Sequence, residues 1–395
     1  MKLQDINFEV ISNSHTKKEL ISDSKIFNLS EVNAVIKEIK NWHGYKQTPL
    51  YSLKNLAKKL NICEIYYKDE GERFVLESFK ALGAYAVNQV IKKNLYDRTK
   101  KLFTTQELCS DTSTEFLKGL TITCATDGNY GRAVAWACQM FGCQSVIFLH
   151  EAVTQTRENE IAKYGAKIVR VRGSYDDSVV QCYKEAEINN RIVVSDTSWE
   201  GYEDIPRLVM QGYSIIAQEI TEQLSDNLPT HIFVPAGVGG LLCCMAGYFA
   251  QNFPGKRTAV VSVEPIKSKC VYQSIKEGKR VVLQGDYNSF MGCLCAGEVS
   301  SVAWEIIKGS VDASIIISDN AAKQTMKFLY DGIADGKRIF SGESGCSSLA
   351  ALLTIKDDSK SLNVLNINEK SRILLIGTEG ATDKEVFSSI TGHKF

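Results

Sequence analysis

Short apolar runs rich in β-branched residues alternate along the chain with longer segments of helical periodicity. The runs predict strands at residues 121–126, 144–149, 167–171, 191–196, 231–236, 258–264 and 372–377. The periodic segments predict helices at residues 30–42, 53–60, 131–142, 156–166, 174–186, 206–223, 240–251 and about 343–354. Alternation of this kind is typical of parallel sheets with helices on both faces.

The alternation comes in two blocks, and a length of 395 residues also favours two domains. We therefore predict an α/β protein with two open, mostly parallel sheet domains and the active site in the cleft. Residues 1–90 and 211–395 are predicted to form a large domain, and residues 91–210 a small one. The polar stretch 101–120 is predicted to be a loop or a short helical insertion.

A lysine lies in an otherwise apolar segment, ESFKALGAYAV, which spans residues 77–87. At helical spacing Lys80 shares one face with Gly83, Ala84 and Val87, which are small or apolar. A lysine exposed to water does not need such a face. We therefore predict that Lys80 extends across small residues into a cavity, at the start of a helix that continues to about residue 94.

Composition excludes several classes of function. Lysine plus arginine and aspartate plus glutamate both number 46, so no basic excess indicates binding to nucleic acid or an anionic membrane. The apolar run 232–245 is too short to span a bilayer, and the first ten residues do not resemble a signal peptide. The twelve cysteines are scattered and show no zinc-ligand spacing. We expect a cytoplasmic protein without a metal.

The segment AGVGGLL, residues 236–242, is predicted to join a strand to a helix. Its glycines allow backbone N–H groups to surround an anion at the helix N-terminus. A plain tight turn is one alternative, and a dinucleotide site is another, with Glu264 where a ribose-binding acid lies. The dinucleotide fingerprint fails at Leu242, where it requires glycine. The pattern favours a site for a single phosphate.

Two carboxylates follow neighbouring predicted strands. Asp127 lies in ATDGNYGRAV with Asn129 close behind it, and Asp196 lies in VVSDTSWEGYEDIPR. Ligands of open α/β sheets bind at the carboxyl ends of strands. The alternatives are that Asp127 caps a helix and that the second segment is a solvated acidic loop. If both carboxylates serve a site, they suit a cationic substrate.

Two C-terminal motifs, SGESG at 341–345 and IGTEGATD at 376–383, each place hydroxyls and glycines at the end of an element. Either motif alone is a weak signal, because ordinary helix capping also accounts for Glu343 and Ser344.

Taken together, the motifs resemble those of the fold-type II pyridoxal phosphate enzymes, the superfamily of tryptophan synthase β and threonine dehydratase. The similarity runs from about Tyr51 to Asp383. Within this superfamily, the sequence more specifically resembles the diaminopropionate ammonia-lyases. The phrases that carry it are KDEGERFVLESFKALGAYA, ATDGNYGRAVAWA, SDTSWEGYEDIPRLVMQGY, VPAGVGGL, SGESG and GTEGATD.

The resemblance implies pyridoxal phosphate as the cofactor, bound covalently by Lys80 in the large domain. It implies that Asn129 binds the ring hydroxyl and that Thr378 faces the ring nitrogen. A hydroxyl in that place, rather than a carboxylate, makes the ring a weaker electron sink, which suits elimination. The cofactor phosphate is expected to bind to Gly237, Val238, Gly239 and Gly240.

The implied reaction is α,β-elimination of D- and L-2,3-diaminopropionate to pyruvate and two ammonia. Two bases explain the use of both isomers, with Lys80 acting on the L form and Asp127 on the D form. Asp196 is expected to bind the distal ammonium of this small amino acid or to assist proton transfer. Relatives of this type are usually homodimers, and we expect the same here.

The chain departs from the family pattern at three places. Tyr130 stands where histidine is frequent, Ala84 stands where a second glycine is common, and residues 291–300 have an altered Cys/Ala order. The alternatives are a serine or threonine dehydratase of the same fold, a nicotinamide oxidoreductase, and a non-catalytic ligand-binding relative.

Overall fold

A computed structural model describes residues 3–16, 29–110, 113–126, 128–253, 258–332 and 335–395, without the side chains of residues 29, 114 and 176. The chain divides into two compact units. The first unit comprises Met1–Leu29, Lys46–Phe79 and Ser214–Phe395, and the second comprises Ser30–Tyr45 and Lys80–Tyr213.

The described residues form eleven strands and sixteen α-helices. The strands are β1 Phe8–Ser12, β2 Leu50–Ser52, β3 Glu64–Asp69, β4 Thr121–Ala125, β5 Gln144–His150, β6 Lys167–Val171, β7 Ile192–Val193, β8 His231–Pro235, β9 Ala259–Pro265, β10 Ala313–Ile317 and β11 Arg372–Gly377. The helices are α1 Leu29–Lys40, α2 Lys54–Leu60, α3 Ala84–Thr99, α4 Thr105–Leu108, α5 Thr114–Leu117, α6 Asn129–Phe141, α7 Gln155–Ala162, α8 Tyr175–Ile188, α9 Asp204–Leu224, α10 Gly240–Asn252, α11 Cys270–Glu277, α12 Ser301–Ser310, α13 Asp319–Tyr330, α14 Ser347–Ile355, α15 Ser359–Leu365 and α16 Lys384–Thr391.

The first unit is built on a seven-stranded sheet with the order β1-β10-β9-β8-β11-β3-β2. The two edge strands, β1 and β2, pair antiparallel with their neighbours, and the five inner strands are parallel. The inner strands read as continuous apolar runs because both faces are covered. For example, every residue of β8 and β10 is buried. Helix α14 packs on this sheet with all nine residues buried.

The second unit is built on a four-stranded parallel sheet with the order β6-β5-β4-β7. Helices α6 and α8 pack against β4 and β5. Helix α6 begins directly after the loop that follows β4, so the carboxyl end of β4 and the N-terminus of α6 lie together. The predicted α/β class with parallel sheets is confirmed.

The first unit also contains a buried ionic cluster. Arg73 donates two hydrogen bonds of 2.8 Å to Glu70 and two more, of 2.7 and 2.8 Å, to Glu219. Lys68 Nζ donates to Glu219 Oε2 at 2.7 Å and to the carbonyl of Thr48 at 2.9 Å. All four charged side chains are fully buried. Two cations and two carboxylates balance, which is what allows such groups to lie out of water.

The division into units differs in detail from the predicted domain boundaries of 1–90 with 211–395 and of 91–210. Residues 80–90 and 30–45 group with the second unit. The physical reason for the first difference is that α3, which begins at Ala84, packs along α6. For the second, Trp42 makes edge contacts with Trp136 and Phe141 of α6.

The strands predicted at 167–171 and 372–377 have the predicted bounds. The strand predicted at 191–196 covers only Ile192–Val193. Lys80 lies in a 3-10 turn, Phe79–Gly83, and the α-helix begins only at Ala84, so the α-helical spacing assumed for Lys80 is wrong. The polar stretch 101–120 contains two short helices, Thr105–Leu108 and Thr114–Leu117.

All twelve cysteines are free thiols, and seven of them are buried. In the described residues, no helix combines the length and the apolar character needed to cross a bilayer.

Candidate active site

Lys80 and Asp196 form an ion pair in the second unit. The Nζ atom of Lys80 lies 2.5 Å from Asp196 Oδ2, and the two side chains are only 17% and 15% exposed. Lys80 projects from a turn whose next three residues, Ala81, Leu82 and Gly83, are buried. Of the three residues predicted to share a face with this lysine, Gly83 lies in the same 3-10 helix, and the predicted cavity stays a prediction.

The backbone just before Asp196 is held by a tyrosine from the following loop. The amide of Ser195 donates to the Tyr202 hydroxyl at 2.9 Å, and that hydroxyl donates to the carbonyl of Val193 at 3.0 Å. Between these two residues, the amide of Val194 donates to the carbonyl of Thr123 in β4 at 2.9 Å, so the segment after β7 is held from both sides. The Tyr202 ring stacks on Trp199 with the ring centroids 4.3 Å apart.

The acidic tail of this loop does not line a site as a group. The guanidinium of Arg207 lies 2.9 Å from Glu203 and 3.3 Å from Asp204, and Glu200 is exposed. Because Arg207 balances two of these carboxylates, Asp196 is the acidic residue of the segment that pairs with Lys80.

The loop between β4 and α6 is folded around a threonine hydroxyl. Thr126 Oγ1 accepts hydrogen bonds from the amides of Gly128 and Gly131 at 3.1 and 3.0 Å. A Cβ on Gly131 would lie 2.2 Å from the Thr126 side chain, so only glycine fits there. Asn129 begins α6 and is partly exposed. Asp127 lies outside the described residues.

The predicted phosphate loop joins β8 to α10 in the first unit. Gly239 is the N-cap of α10 and has φ +93°, a conformation that favours glycine. A Cβ there would approach Ile307 Cδ1 to 2.7 Å. The carbonyl of Val238 accepts from the Ser300 amide at 2.9 Å, which fixes the loop. Gly237 and Val238 are partly exposed, whereas Gly239 and Gly240 are buried.

Thr378 follows β11 and is 4% exposed. Its carbonyl accepts from the amide of Phe79 at 3.1 Å, while its hydroxyl bonds to no described residue. Glu379 accepts the amides of Gly342 and Ser344 at 3.2 and 3.0 Å. The two C-terminal motifs therefore pack on each other. The capping role for Ser344 is wrong, because the N-cap of α14 is Cys346, without a side-chain cap, and the Ser344 hydroxyl instead accepts from the amide of Cys293 at 3.2 Å.

The C-terminal motifs interlock through their glycines. A Cβ on Gly345 would lie 2.3 Å from the carbonyl of Glu379, and a Cβ on Gly342 would lie 2.5 Å from the carbonyl of Gly380. The Tyr67 hydroxyl donates to Ser341 Oγ at 2.9 Å and closes the same region from β3. This packing holds the segment that carries Thr378 in one conformation.

These residues fit pyridoxal phosphate. The loop at 237–240 presents the first N–H groups of a thirteen-residue helix, and its N-cap glycine has no side chain to occupy them. The Thr378 hydroxyl bonds to no described residue and so leaves a buried donor or acceptor for a ring atom. A dinucleotide site does not fit, because Glu264 is fully buried and accepts the amides of Val271 and Tyr272 at 2.7 Å.

Comparison with known proteins decides the family. Residues 42–378 match the family model described as pyridoxal-phosphate dependent enzyme. A diaminopropionate ammonia-lyase from Escherichia coli strain K12 is 33% identical over 390 residues, covering 94% of this chain and 95% of the relative. The chain belongs to the diaminopropionate ammonia-lyase family. It is a pyridoxal-phosphate-dependent lyase, as the motifs indicated.

Solved structures of this family agree with the fold. The Escherichia coli diaminopropionate ammonia-lyase in complex with D-serine superimposes with a TM-score of 0.90 at 30% identity, covering 99% of this chain and 98% of the other. A biosynthetic L-threonine dehydratase from Staphylococcus saprophyticus is more distant. It is 27% identical over 315 residues, which is 78% of this chain and 65% of the relative.

Two tyrosines of the site were not identified from the sequence as functional. Tyr130 was noted only as a departure from the family pattern, and Tyr202 only as part of an aromatic tail. For Tyr130, a tyrosine two residues after the N-cap glycine of a helix is a weak signal in itself. Both become notable only through burial and through their contacts with Lys80 and with the backbone before Asp196.

Proposed function

We propose that the protein eliminates ammonia from D- and L-2,3-diaminopropionate and that the products are pyruvate and two ammonia. The observation that carries this proposal is the close pair of Lys80 and Asp196, together with the similarity to diaminopropionate ammonia-lyases over nearly the whole chain. A carboxylate beside the lysine suits a substrate that carries a second ammonium, which serine and threonine lack.

In this proposal, the N–H groups of Gly237, Val238, Gly239 and Gly240 bind the cofactor phosphate. Asn129 binds the ring hydroxyl and Thr378 bonds to the ring nitrogen. When bound, pyridoxal phosphate serves as the electron sink for the substrate's Cα–H electron pair. Lys80 would hold the cofactor covalently, and its amine would serve as a base when it is not bonded to the cofactor.

Two bases then account for two isomers. Lys80 Nζ takes the Cα proton of the L isomer, and Asp127 takes that of the D isomer. Asp196 binds the distal ammonium of the substrate, and the Tyr202 hydroxyl keeps its backbone in place. Ammonia leaves from Cβ, and hydrolysis of the remaining enamine gives pyruvate and the second ammonia.

The first experiment is to incubate the purified protein with pyridoxal phosphate and each isomer of diaminopropionate separately and to measure pyruvate. We expect pyruvate from both isomers and none from the Lys80→Ala variant. Asp127→Asn should lose activity with the D isomer and retain it with the L isomer. Equal loss with both isomers would contradict the two-base assignment.

The competing function is a serine or threonine dehydratase, which the relatives with that activity suggest. The same assay with L-serine, D-serine and L-threonine separates the two functions. A higher kcat/KM for a hydroxyamino acid than for either diaminopropionate isomer would replace the proposed substrate and keep the cofactor.

A homodimer and a cytoplasmic location remain predictions. Sedimentation of the purified protein and fractionation of the cells that produce it are the measurements that check them.

A further inference from the structure

The hydroxyl of Tyr130 is unusual for a buried phenol. Tyr130 is 4% exposed, and its hydroxyl has no hydrogen-bond partner among the described residues. Buried tyrosines normally have such a partner. Burial, with the charge of Asp196 nearby, raises the pKa of this phenol well above its ordinary value. The group therefore stays protonated and does not act as a base.

The ring of Tyr130, rather than its hydroxyl, faces the lysine. The Nζ atom of Lys80 lies 5.6 Å from the ring centroid, within the range of a cation–π contact. Because both side chains are shielded from water, this contact is stronger than one on an open surface. The ammonium of Lys80 is thus stabilised by the carboxylate of Asp196 and by the ring of Tyr130.

The position of the ring depends on a glycine in the turn that carries Lys80. A Cβ on Gly83 would lie 3.2 Å from Tyr130 Cε2 and 3.2 Å from Val209 Cγ1. Gly83 has no positive φ, so backbone conformation does not require glycine there. Its missing side chain leaves the space into which the ring packs, beside the lysine three residues earlier.

We propose that Tyr130 is a positioning residue whose ring holds the ammonium of Lys80 beside Asp196 whenever the lysine is not bonded to the cofactor. The inference rests on the proposed role of Lys80. Its consequence is that the lysine, after it has accepted the proton from the substrate carbon, is retained beside that carbon as the ammonium. The ring does this without exchanging protons.

The test uses the full chain without cofactor and reads Lys80 directly. Limiting acetic anhydride acetylates neutral amines, and peptide mass spectrometry gives the acetylation rate of Lys80 relative to the exposed Lys276. We expect Tyr130→Leu to raise this relative rate about fivefold or more, because a shielded cation–π contact is lost. Tyr130→Phe should keep the wild-type rate, since it keeps the ring.

Val209→Ala is the matched control. It opens a cavity beside the same Gly83 but leaves the ring of Tyr130 in place, so the relative rate of Lys80 should not change. Thermal unfolding verifies that each variant is folded, and Tyr130→Met replaces the leucine variant if that one fails to fold. Three results overturn the proposal: no increase in Tyr130→Leu, an equal increase in Tyr130→Phe, or an equal increase in Val209→Ala.

No substrate enters this experiment. A failed lyase assay with an accelerated Lys80 in Tyr130→Leu would reject the substrate and keep the positioning role. Pyruvate from diaminopropionate, with an unchanged acetylation rate of Lys80 in Tyr130→Leu, would keep the substrate and reject the positioning role.

Discussion

The position of the Asp196 carboxylate depends on hydrogen bonds to the backbone of the residues just before it. Two hydrogen bonds of the Tyr202 hydroxyl hold the backbone of Val193 and Ser195, and the stacked Trp199 holds the ring. A conservative substitution of Tyr202 is therefore expected to shift the backbone before Asp196 and so to disturb the ion pair with Lys80.

We expect Tyr202→Phe to lower kcat/KM for diaminopropionate about tenfold and the free energy of unfolding by about 1–3 kcal/mol, because the Ser195 amide loses its partner. Tyr183→Phe is the matched control. The Tyr183 hydroxyl is buried in the same aromatic group but has no hydrogen-bond partner among the described residues. Activity assays and urea titrations give both quantities, and equal effects of the two changes would contradict the backbone role.

Asp196→Asn tests the contact with the distal ammonium. We expect KM for diaminopropionate to rise about tenfold or more, because a charge-assisted hydrogen bond contributes about 1.5–3 kcal/mol. KM for D-serine, which has no second ammonium, should change much less. Steady-state kinetics with the two substrates gives the comparison. A proportional change for both substrates would assign Asp196 to Lys80 alone.

Among single residues, the sequence identifies those that lie in a recognisable motif. Lys80 and Asp196 were both predicted as site residues, and the structure pairs them. Tyr130 and Tyr202 could not be predicted, because their roles depend on burial and on contacts with residues that are distant in sequence. Tyr130 and Lys80, for example, are fifty positions apart, and no local pattern links them.

Among the elements, the segment from β3 to Phe79 depends on the buried ionic cluster. Arg73 lies in that segment and bridges Glu70 to Glu219 of α9. Burial raises the pKa of Glu219, but Arg73 and Lys68 lower it by more, to about 2 from an ordinary value of 4.5. The carboxylate is thus charged in the folded protein at neutral and mildly acidic pH.

We expect Glu219→Gln to lower the free energy of unfolding by about 3–5 kcal/mol at pH 7, because Arg73 and Lys68 lose a buried partner. The pKa of Glu219 is lower in the folded state, so its stabilisation is complete above the unfolded pKa and is lost as pH falls toward 2. The difference from wild type should therefore shrink below about pH 5. Urea titrations at several pH values, with the exposed Glu369→Gln as control, measure it.

The turn before α10 allows a similar comparison between glycines. Gly239→Ala adds both a strained φ and a contact of 2.7 Å with Ile307, and we expect it to weaken pyridoxal phosphate binding at least about tenfold. Gly285→Ala is a suitable control, since Gly285 has φ +86° but open space around its Cα. Cofactor titration followed by absorbance gives both affinities. If the two variants bound pyridoxal phosphate with equal affinity, the loop would not be the phosphate site.

Some apolar runs were predicted as strands, whereas β3 and β10 were not, although every residue of β10 is buried. The strand at 372–377 has the predicted bounds because its apolar run from Ile373 to Ile376 is uninterrupted and buried. The antiparallel edge strands β1 and β2 were not predicted. Each is short and mixed in polarity, and each forms only because a neighbouring strand pairs with it.

For the whole molecule, the sequence predicts the class and the presence of two blocks, but not where the chain changes unit. One such change of unit lies between Phe79 and Lys80, inside a single apolar segment of the sequence. Which unit a segment joins depends on its packing, and the packing of α3 on α6 is a tertiary contact that periodicity does not encode.

Cofactor binding should stabilise the whole protein. At a free cofactor concentration of 100 times Kd, we expect a gain of about 2.7 kcal/mol in the free energy of unfolding. Chemical denaturation with and without pyridoxal phosphate measures this gain, and Lys80→Ala should show a smaller one at the same concentration. A gain of the same size in Lys80→Ala would mean that the lysine adds nothing to cofactor affinity.

The interlocked glycines of the two C-terminal motifs also constrain how this protein changes over evolutionary time. Gly342 and Gly345 leave no space for a side chain against Glu379 and Gly380. A substitution in either motif requires a compensating shift of the other backbone, which no single nucleotide change provides. We therefore expect the two motifs to be inherited as one unit, and a motif transplanted alone from a distant homologue to fail unless its partner is moved with it.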